Sequence, residues 1–155
     1  MTGSGEIVVR AATTNDVNFL INGNANMALE TENVSLDRLR LRDGVSAVIA
    51  NPGHGFYLIG EIDKTPAGQM LVTYEWSDWR NGVFWWIQSV FVEEEFRRRG
   101  VFRALYDHVY QAAEQDPSVI GLRLYVDCEN QIAMDTYLKM GMAETDYFVL
   151  EKYPL

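Results

Sequence analysis

Apolar residues in the middle of the chain form runs that predict β-strands, and three of these runs follow one another closely. They predict strands at 55–63, 68–76 and 83–92, the first two joined by a Lys-Thr-Pro-Ala-Gly turn and the last two by a turn containing Asn81-Gly82. The third run, VFWWIQSVFV, is apolar on both of its faces. A strand of this kind belongs in the middle of a sheet that has helices above and below it.

The remaining segments predict further strands and helices on either side of this group. Periodicity and capping residues predict strands at 6–13, 121–127 and 146–153, and helices at 14–30, 35–53, 100–115 and 130–141. Asn130 and Gly141 are the expected caps of the last helix. The order β, α, α, β, β, β, α, β, α, β predicts an α/β fold (α+β in some schemes), with a mixed, mostly antiparallel central sheet and helices on both faces. The length of 155 residues suits a single domain over 1–155.

Composition and charge narrow the classes of function. The net charge of -9 and the pI of about 4.6 argue against nucleic-acid binding, which needs a basic face, and favour a cationic ligand. No apolar run approaches the ~20 residues of a membrane helix, and the first ten residues do not resemble a signal peptide. The single cysteine, Cys128, allows no internal disulfide, so we expect a cytoplasmic protein without a membrane partner. His54 and His108 are far from it in sequence, which argues against a metal centre.

The stretch EEEFRRRGVF at 93–102 carries the clearest chemical signal, because three arginines precede a glycine at a predicted helix start. The first amides of a helix lack internal partners and the helix dipole is positive there, so such an end binds phosphate readily. Gly100 allows close approach of the backbone, and charge-assisted hydrogen bonds can come from Arg97, Arg98, Arg99 or Arg103. We therefore predict an anion site; the alternative is a solvated charge run in which Arg97–Arg99 pair with Glu93–Glu95.

Two segments resemble motifs of the GNAT-type N-acetyltransferase superfamily. Residues 97–102, RRRGVF, resemble its pyrophosphate-binding motif, Arg/Gln-x-x-Gly-x-Gly/Ala, and depart from it at Phe102. The later segment NQIAMDTYLKMGM resembles Asn-x-x-Ala-x-x-x-Tyr-x-x-x-Gly-Phe, with Asn130, Ala133, Tyr137 and Gly141 at the family spacing. The resemblance covers about residues 55–153, and in the N-terminal third it rests on element order alone.

The resemblance implies a GNAT-like domain that uses acetyl-CoA as co-substrate, without a metal. Val90, Phe91 and Val92 would pair with the pantetheine arm, where a family-typical bulge splays the strand from its neighbour and an amide at Phe91 or Val92 would donate to the thioester oxygen. The family's general acid would be Tyr137. The implied cofactor-binding set is completed by Arg97, Arg98, Arg99, Gly100, Val101, Phe102, Arg103, Asn130, Ala133 and Tyr137.

The acceptor amine needs a general base, because roughly one alkylammonium in a thousand is deprotonated at neutral pH. Glu75 is the favoured base, since it lies within a predicted strand, and Asp78 or a bound water are alternatives. Glu75 could equally be a structural partner of Arg80. An acceptor pocket could be lined by the aromatic residues Tyr74, Trp76, Trp79 and Trp85, with cation–π contacts to an amine.

These observations predict an N-acetyltransferase that acts on a primary amine, with a cationic small molecule favoured as acceptor. One alternative is a non-catalytic module that binds or senses acetyl-CoA, for which the Phe102 departure is the argument. A further alternative is an enzyme that acetylates a protein N-terminus or a lysine. The aromatic stretch WSDWRNGVFWW could serve a homodimer as well as a substrate.

Overall fold

The computed structural model describes residues 5–155, which divide into two compact units, one ending at Leu124 and the other spanning Tyr125–Leu155. The first unit holds five strands and three helices. The second holds one helix, α4. In chain order the elements are β1 (Ile7–Ala11), α1 (Val17–Glu32), α2 (Arg38–Ala50), β2 (Phe56–Ile62), β3 (Thr65–Ser77), β4 (Gly82–Val92), α3 (Val101–Gln115), β5 (Val119–Leu124) and α4 (Gln131–Lys139).

The five strands form one sheet in the order β1-β2-β3-β4-β5. The first three pairings are antiparallel, and β4 pairs with β5 in parallel. The hairpin between β3 and β4 turns at Asn81, whose φ of 50° lies in the left-handed region that asparagine tolerates. The prediction of a mixed, mostly antiparallel sheet is therefore confirmed, and the doubly apolar run lies on the inner strand β4.

Helices cover both faces of the sheet, as the apolar pattern of β4 predicts. On one face, α1 and α2 pack against β2 and β3 around a buried cluster that includes Leu20, Val45 and Tyr57. On the other face, α3 approaches β2 and β3 at two glycines, because a Cβ at Gly60 or Gly68 would crowd the side chain of Val101. We call these the α1/α2 face and the α3 face.

The N-terminus of α1 is fixed by a charged cluster that the sequence pattern did not predict. Asp16 is buried, and its carboxylate accepts two hydrogen bonds from Arg10, of 2.8 and 2.9 Å, and one of 2.7 Å from the amide of Thr13. Arg10 also pairs with Glu61 of β2 at 2.7 Å. The Arg10 hydrogen bond holds the pKa of Asp16 below its ordinary value, against the opposing effect of burial.

Two predicted features differ from the structure. The turn between β2 and β3 is the Asp63-Lys64 pair, both with left-handed φ, and β3 already begins at Thr65, so Pro66 lies in a strand and not in a turn. The predicted strand at 146–153 is wrong, because the described part of the second unit contains no strand. Its alternating apolar residues fit a strand, but a strand also needs a ladder partner, which periodicity cannot supply.

Candidate active site

A β-bulge interrupts the pairing of β3 with β4 near the end of β4. Gln69 pairs with Phe91 and Leu71 pairs with Gln88, so one extra residue of β4 is accommodated between these pairs. Ser89 takes it up with a φ of 49°, a left-handed conformation that is uncommon for a residue other than glycine. The bulge expected from the family resemblance is confirmed, next to the predicted segment Val90–Val92.

The same end of β4 has an open edge on the side of β5. The last parallel pair is Ile87 with Leu124, so β4 continues for Gln88–Val92 beyond the point where β5 ends. Because successive residues of a strand direct their amides to opposite sides, each amide of this segment faces either β3 or the open edge.

Neighbouring contacts settle these directions. The amide of Glu93 donates to Ala67 in β3 at 2.9 Å, and the carbonyl of Phe91 lies beside Gly68, also in β3. The carbonyl of Val92 instead accepts from the side chain of Arg97 at 2.9 Å. Of the two amides considered from the sequence, Val92 therefore faces the open edge and Phe91 faces β3. By the same alternation Val90, next to the bulge, also faces the open edge.

The loop from β4 to α3 is shaped by two left-handed residues. Arg98 has a φ of 60° and Gly100 has a φ of 89°, and Gly100 is the N-cap of α3 without a side-chain cap. The helix ladder begins with the amide of Ala104 donating to Gly100 at 3.0 Å. The helix itself therefore provides no acceptor for the amides of Val101 and Arg103, which is the geometry that suits a phosphate.

Three of the four arginine side chains at 97–103 are engaged with protein groups. Arg97 donates to both carboxylate oxygens of Glu30 in α1, at 2.8 and 3.1 Å, and Arg103 pairs with Asp107 one turn along α3. Arg99 lies over the ring of Phe96. The described ion pairs of these arginines do not include Glu93–Glu95, so that part of the charge-run alternative is wrong.

Phe102, where the sequence departs from the family motif, contacts a residue one turn further along α3. Its ring is half-buried and packs against Tyr106, with ring centroids 6.4 Å apart.

Glu75, the favoured base, pairs with Arg123 of β5 and not with Arg80. The Arg123 guanidinium donates to Oε1 of Glu75 at 2.5 Å and lies over the ring of Phe84, 3.7 Å from its centroid. Register pairs Glu75 with Phe84, so both point to the same face, which is the α1/α2 face because Leu71 of the core cluster has the same parity. Arg80 bonds Ser77 instead.

The other residues predicted for the acceptor side do not lie beside Glu75. Asp78 accepts from the amide of Trp79 at 2.9 Å in the exposed hairpin turn, outside the sheet. Tyr74 and Trp85 pack with Phe56 in one aromatic cluster, and register and alternation direct them to the α3 face. They are thus on the opposite side of the sheet from Glu75, whereas Phe84 and Trp86 of β4 lie on its own side.

In the second unit, α4 has the caps that the sequence predicted. The side chain of Asn130 accepts from the amide of Ala133 at 3.1 Å, and Gly141 follows the helix with a φ of 92°. Ala133 and Tyr137 are four residues apart and share a helix face. These two motif residues therefore lie on the same side of α4, as the spacing predicts.

Several residues of the site were missed by sequence reasoning. Arg123 gave no signal, because its partner Glu75 is 48 residues away and across an intervening strand. Gln69 and Ser89 did carry one, since Gln69 directly precedes the apolar residues 70–72 and Ser89 lies within the largely apolar run 83–92. Their role is taken up below.

Comparison with known proteins identifies the family. Residues 25–142 match the acetyltransferase (GNAT) family, so the chain belongs to that family, which uses acetyl-CoA as its co-substrate. No curated protein gave a match. Among residues 5–155 there is no group of three or more His, Cys, Asp or Glu placed to hold a metal ion, and no helix there has the length and hydropathy to span a membrane.

Solved structures agree with this assignment. The chain is 39% identical to "a possible acetyltransferase" from Clostridium difficile 630, with a TM-score of 0.91 over 96% of this chain and 98% of the other. It shares its fold with a predicted acetyltransferase with acetyl-CoA from Clostridium acetobutylicum, at 16% identity and a TM-score of 0.76 over 95% and 96% of the two chains. An aminoglycoside acetyltransferase from an uncultured soil metagenomic sample, in complex with sisomicin, also has this fold, at 13% identity and a TM-score of 0.73 over 96% of each chain.

Proposed function

We propose that the protein transfers the acetyl group of acetyl-CoA to a primary amine of a small molecule, by direct attack of the amine. The observation that carries this proposal is the course of β4. Its final residues, Gln88–Val92, extend past β5 with a bulge at Ser89, and the chain then turns through Gly100 into the start of α3. An open strand edge and a helix N-terminus thus follow each other within a dozen residues.

These two features suit the two ends of the co-substrate. The amides of Val90 and Val92 on the open edge would pair with the pantetheine arm and donate to the thioester oxygen as it gains negative charge. Amides of residues 98–103 would hold the pyrophosphate, with Gly100 allowing close approach. Arg98 and Arg99 would add charge there, since neither has a described ion pair, whereas Arg97 and Arg103 are paired with carboxylates.

Glu75 is the proposed general base for the amine. Its carboxylate lies on the α1/α2 face beside Phe84 and Trp86 of β4, the strand that leads to the bulge. The hydrogen bond from Arg123 fixes one carboxylate oxygen, and 44% of the Glu75 side chain is exposed, so a substrate or a water can reach it.

Tyr137 is the proposed general acid, which gives its proton to the sulfur of CoA as the thioester bond breaks. Its support is the family resemblance of α4, where Asn130, Ala133 and Tyr137 occupy the motif positions. Starting from the alkylammonium, the nitrogen gives up two protons: Glu75 takes one before attack, and the other, released as the amide forms, offsets the proton that Tyr137 gives to the sulfur.

The acceptor class rests on charge. The chain carries a net charge of -9, which favours approach of a cation. One structure with this fold holds sisomicin, an aminoglycoside, so the fold accommodates a cationic small-molecule amine. Protein N-termini and lysines are the competing acceptors, and a purely binding module is the competing function.

A screen of amines tests the proposal. The purified protein is incubated with acetyl-CoA and each amine, and release of the CoA thiol is followed together with the mass of the product. We expect acetylation of at least one small primary amine and no thiol release without an acceptor. Tight binding of acetyl-CoA by calorimetry without transfer to any small amine or peptide would favour the binding module instead.

A further inference from the structure

A buried polar network surrounds the bulge in β4. Gln69 of β3 is fully buried, and its Nε2 donates to the carbonyl of Ser89 at 3.2 Å. The hydroxyl of Tyr57 in β2 accepts a hydrogen bond of 3.4 Å from Nδ2 of Asn24. Burial raises the pKa of Tyr57, and the neighbouring Asn24 and Ser89 side chains oppose that rise. Ser89 is thus held at its carbonyl by Gln69.

Gln69 occupies its position at an energetic cost. Its Oε1 is buried and has no hydrogen-bond partner within the described chain, and burying an unsatisfied polar atom destabilises the folded state. An apolar side chain of the same length would avoid this cost. We therefore expect the amide of Gln69 to act on Ser89. The left-handed backbone of Ser89 is energetically unfavourable, and such a conformation persists only when neighbouring groups hold it in place.

Helix α1 leaves room for this amide at a single glycine. A Cβ at Gly23 would overlap Oε1 of Gln69. Glycine is less favourable than alanine within a helix, so its presence here is not explained by helix formation. A side chain at position 23 would displace the far end of Gln69, and with it the hydrogen bond to Ser89.

We propose that Gln69 is a positioning residue for acetyl transfer. Its hydrogen bond to the carbonyl of Ser89 fixes the left-handed backbone there, and this sets the direction in which the next amides, Val90 and Val92, meet the thioester oxygen. The inference rests on the function proposed above. It adds a requirement for a buried side chain that holds the bulge, which is part of neither the family motifs nor the open edge. A hydrogen-bond donor that is displaced by an ångström loses much of its effect on the reacting group.

The direct readout is the carbonyl stretch of acetyl-CoA labelled with ¹³C at the thioester carbon, measured by infrared difference spectroscopy on the bound complex. Hydrogen bonds from the amides weaken the C=O bond, so we expect the wild-type band at lower wavenumber than that of free acetyl-CoA. Gln69→Met, which keeps length and loses the amide, should move the band most of the way back to the free position. Gly23→Ala should do the same by displacing Gln69, even though alanine favours the helix.

Gly44→Ala is the matched control, because it is the same exchange in α2 at a position where a Cβ meets nothing within 4 Å. Its band should coincide with the wild-type band, and all variants should keep wild-type affinity for CoA itself, which reports an intact fold. If Gln69→Met does not fold, Gly23→Ala decides, since the end of a flexible side chain can move aside. If the wild-type band lies below that of free acetyl-CoA and the bands of Gln69→Met and Gly23→Ala coincide with it, the role of Gln69 is overturned while the proposed function stands. A wild-type protein that does not bind acetyl-CoA would overturn the proposed function and this inference together.

Discussion

Arg123 reaches across the intervening strand β4 to donate a hydrogen bond of 2.5 Å to Glu75 of β3. The guanidinium lies over the ring of Phe84, so the pair is supported by an aromatic face as well as by charge. Ion pairs on a surface contribute little to stability, and this one is partly exposed on both sides, with 23% and 44% of the two side chains accessible. We therefore expect the Arg123–Glu75 pair to matter more for the orientation of the Glu75 carboxylate than for the stability of the fold.

Glu75→Gln should lower kcat by about 10²-fold or more, because loss of a general base has effects of that order, while affinity for acetyl-CoA stays unchanged. Asp78→Asn is the matched control, since it removes a carboxylate in the exposed hairpin turn, and its kcat should stay close to that of the wild type. Steady-state kinetics with the acceptor found by screening measures both. Equal losses in the two variants, or none in Glu75→Gln, would contradict the assigned base.

The limits of sequence reasoning here follow from register. The apolar pattern identified β4 as an inner strand, and Asn81-Gly82 located its hairpin, because both signals are local. The same pattern grouped Tyr74 and Trp85 with Glu75, whereas alternation along the strands directs those aromatic side chains to the opposite face. Side-chain direction depends on which residues pair, and that depends on contacts distant in sequence.

The site shows the same division between local and distant information. The spacing of RRRG predicted a helix start shaped for an anion, since capping and glycine conformation are local properties. The engagement of Arg97 by Glu30 of α1 could not be read from it, because the two residues are 67 positions apart. The bulge was expected from the family resemblance alone. The left-handed position that forms it is occupied by Ser89 and not by glycine, so no glycine marks it in the sequence.

Gly100→Glu should weaken CoA binding at least about a hundredfold. A non-glycine residue at a φ of 89° is strained, and a carboxylate beside the pyrophosphate adds repulsion at the positive end of α3. A Cβ here would lie 3.6 Å from Ile7, an ordinary contact, so a steric clash is not the cause. Isothermal titration calorimetry with CoA measures the effect, and Gly44→Glu adds the same charge at a distant exposed position. Unchanged affinity in Gly100→Glu would remove the helix start from the binding site.

Asp16→Asn should destabilise the fold by about 1–3 kcal/mol at pH 7, the range for hydrogen bonds to charged groups. The folded-state pKa of Asp16 is depressed by Arg10, so its contribution is complete above the unfolded pKa of about 3.9 and is lost as the pH falls through the lower folded value. Urea unfolding should therefore show a constant gap between variant and wild type from pH 7 to 5 that narrows below about pH 4. The exposed Asp43, changed to Asn, should show no such gap. A gap for Asp16→Asn that persists unchanged in acid would mean that the carboxylate charge is not its source.

Tyr137→Phe separates an enzyme from a binding module most directly. Removing the phenol hydroxyl takes away the proton that the departing sulfur of CoA receives, so kcat should fall by about 10²-fold while affinity for acetyl-CoA holds. Tyr147→Phe, which removes a hydroxyl from the same unit outside the motif, serves as the control and should retain wild-type kcat. Kinetics and calorimetry on the same preparations distinguish the outcomes. Retained binding with lost transfer supports a general acid at Tyr137. Equal kcat in Tyr137→Phe and wild type would mean that another group protonates the sulfur. The family resemblance of α4 would then indicate binding of acetyl-CoA alone.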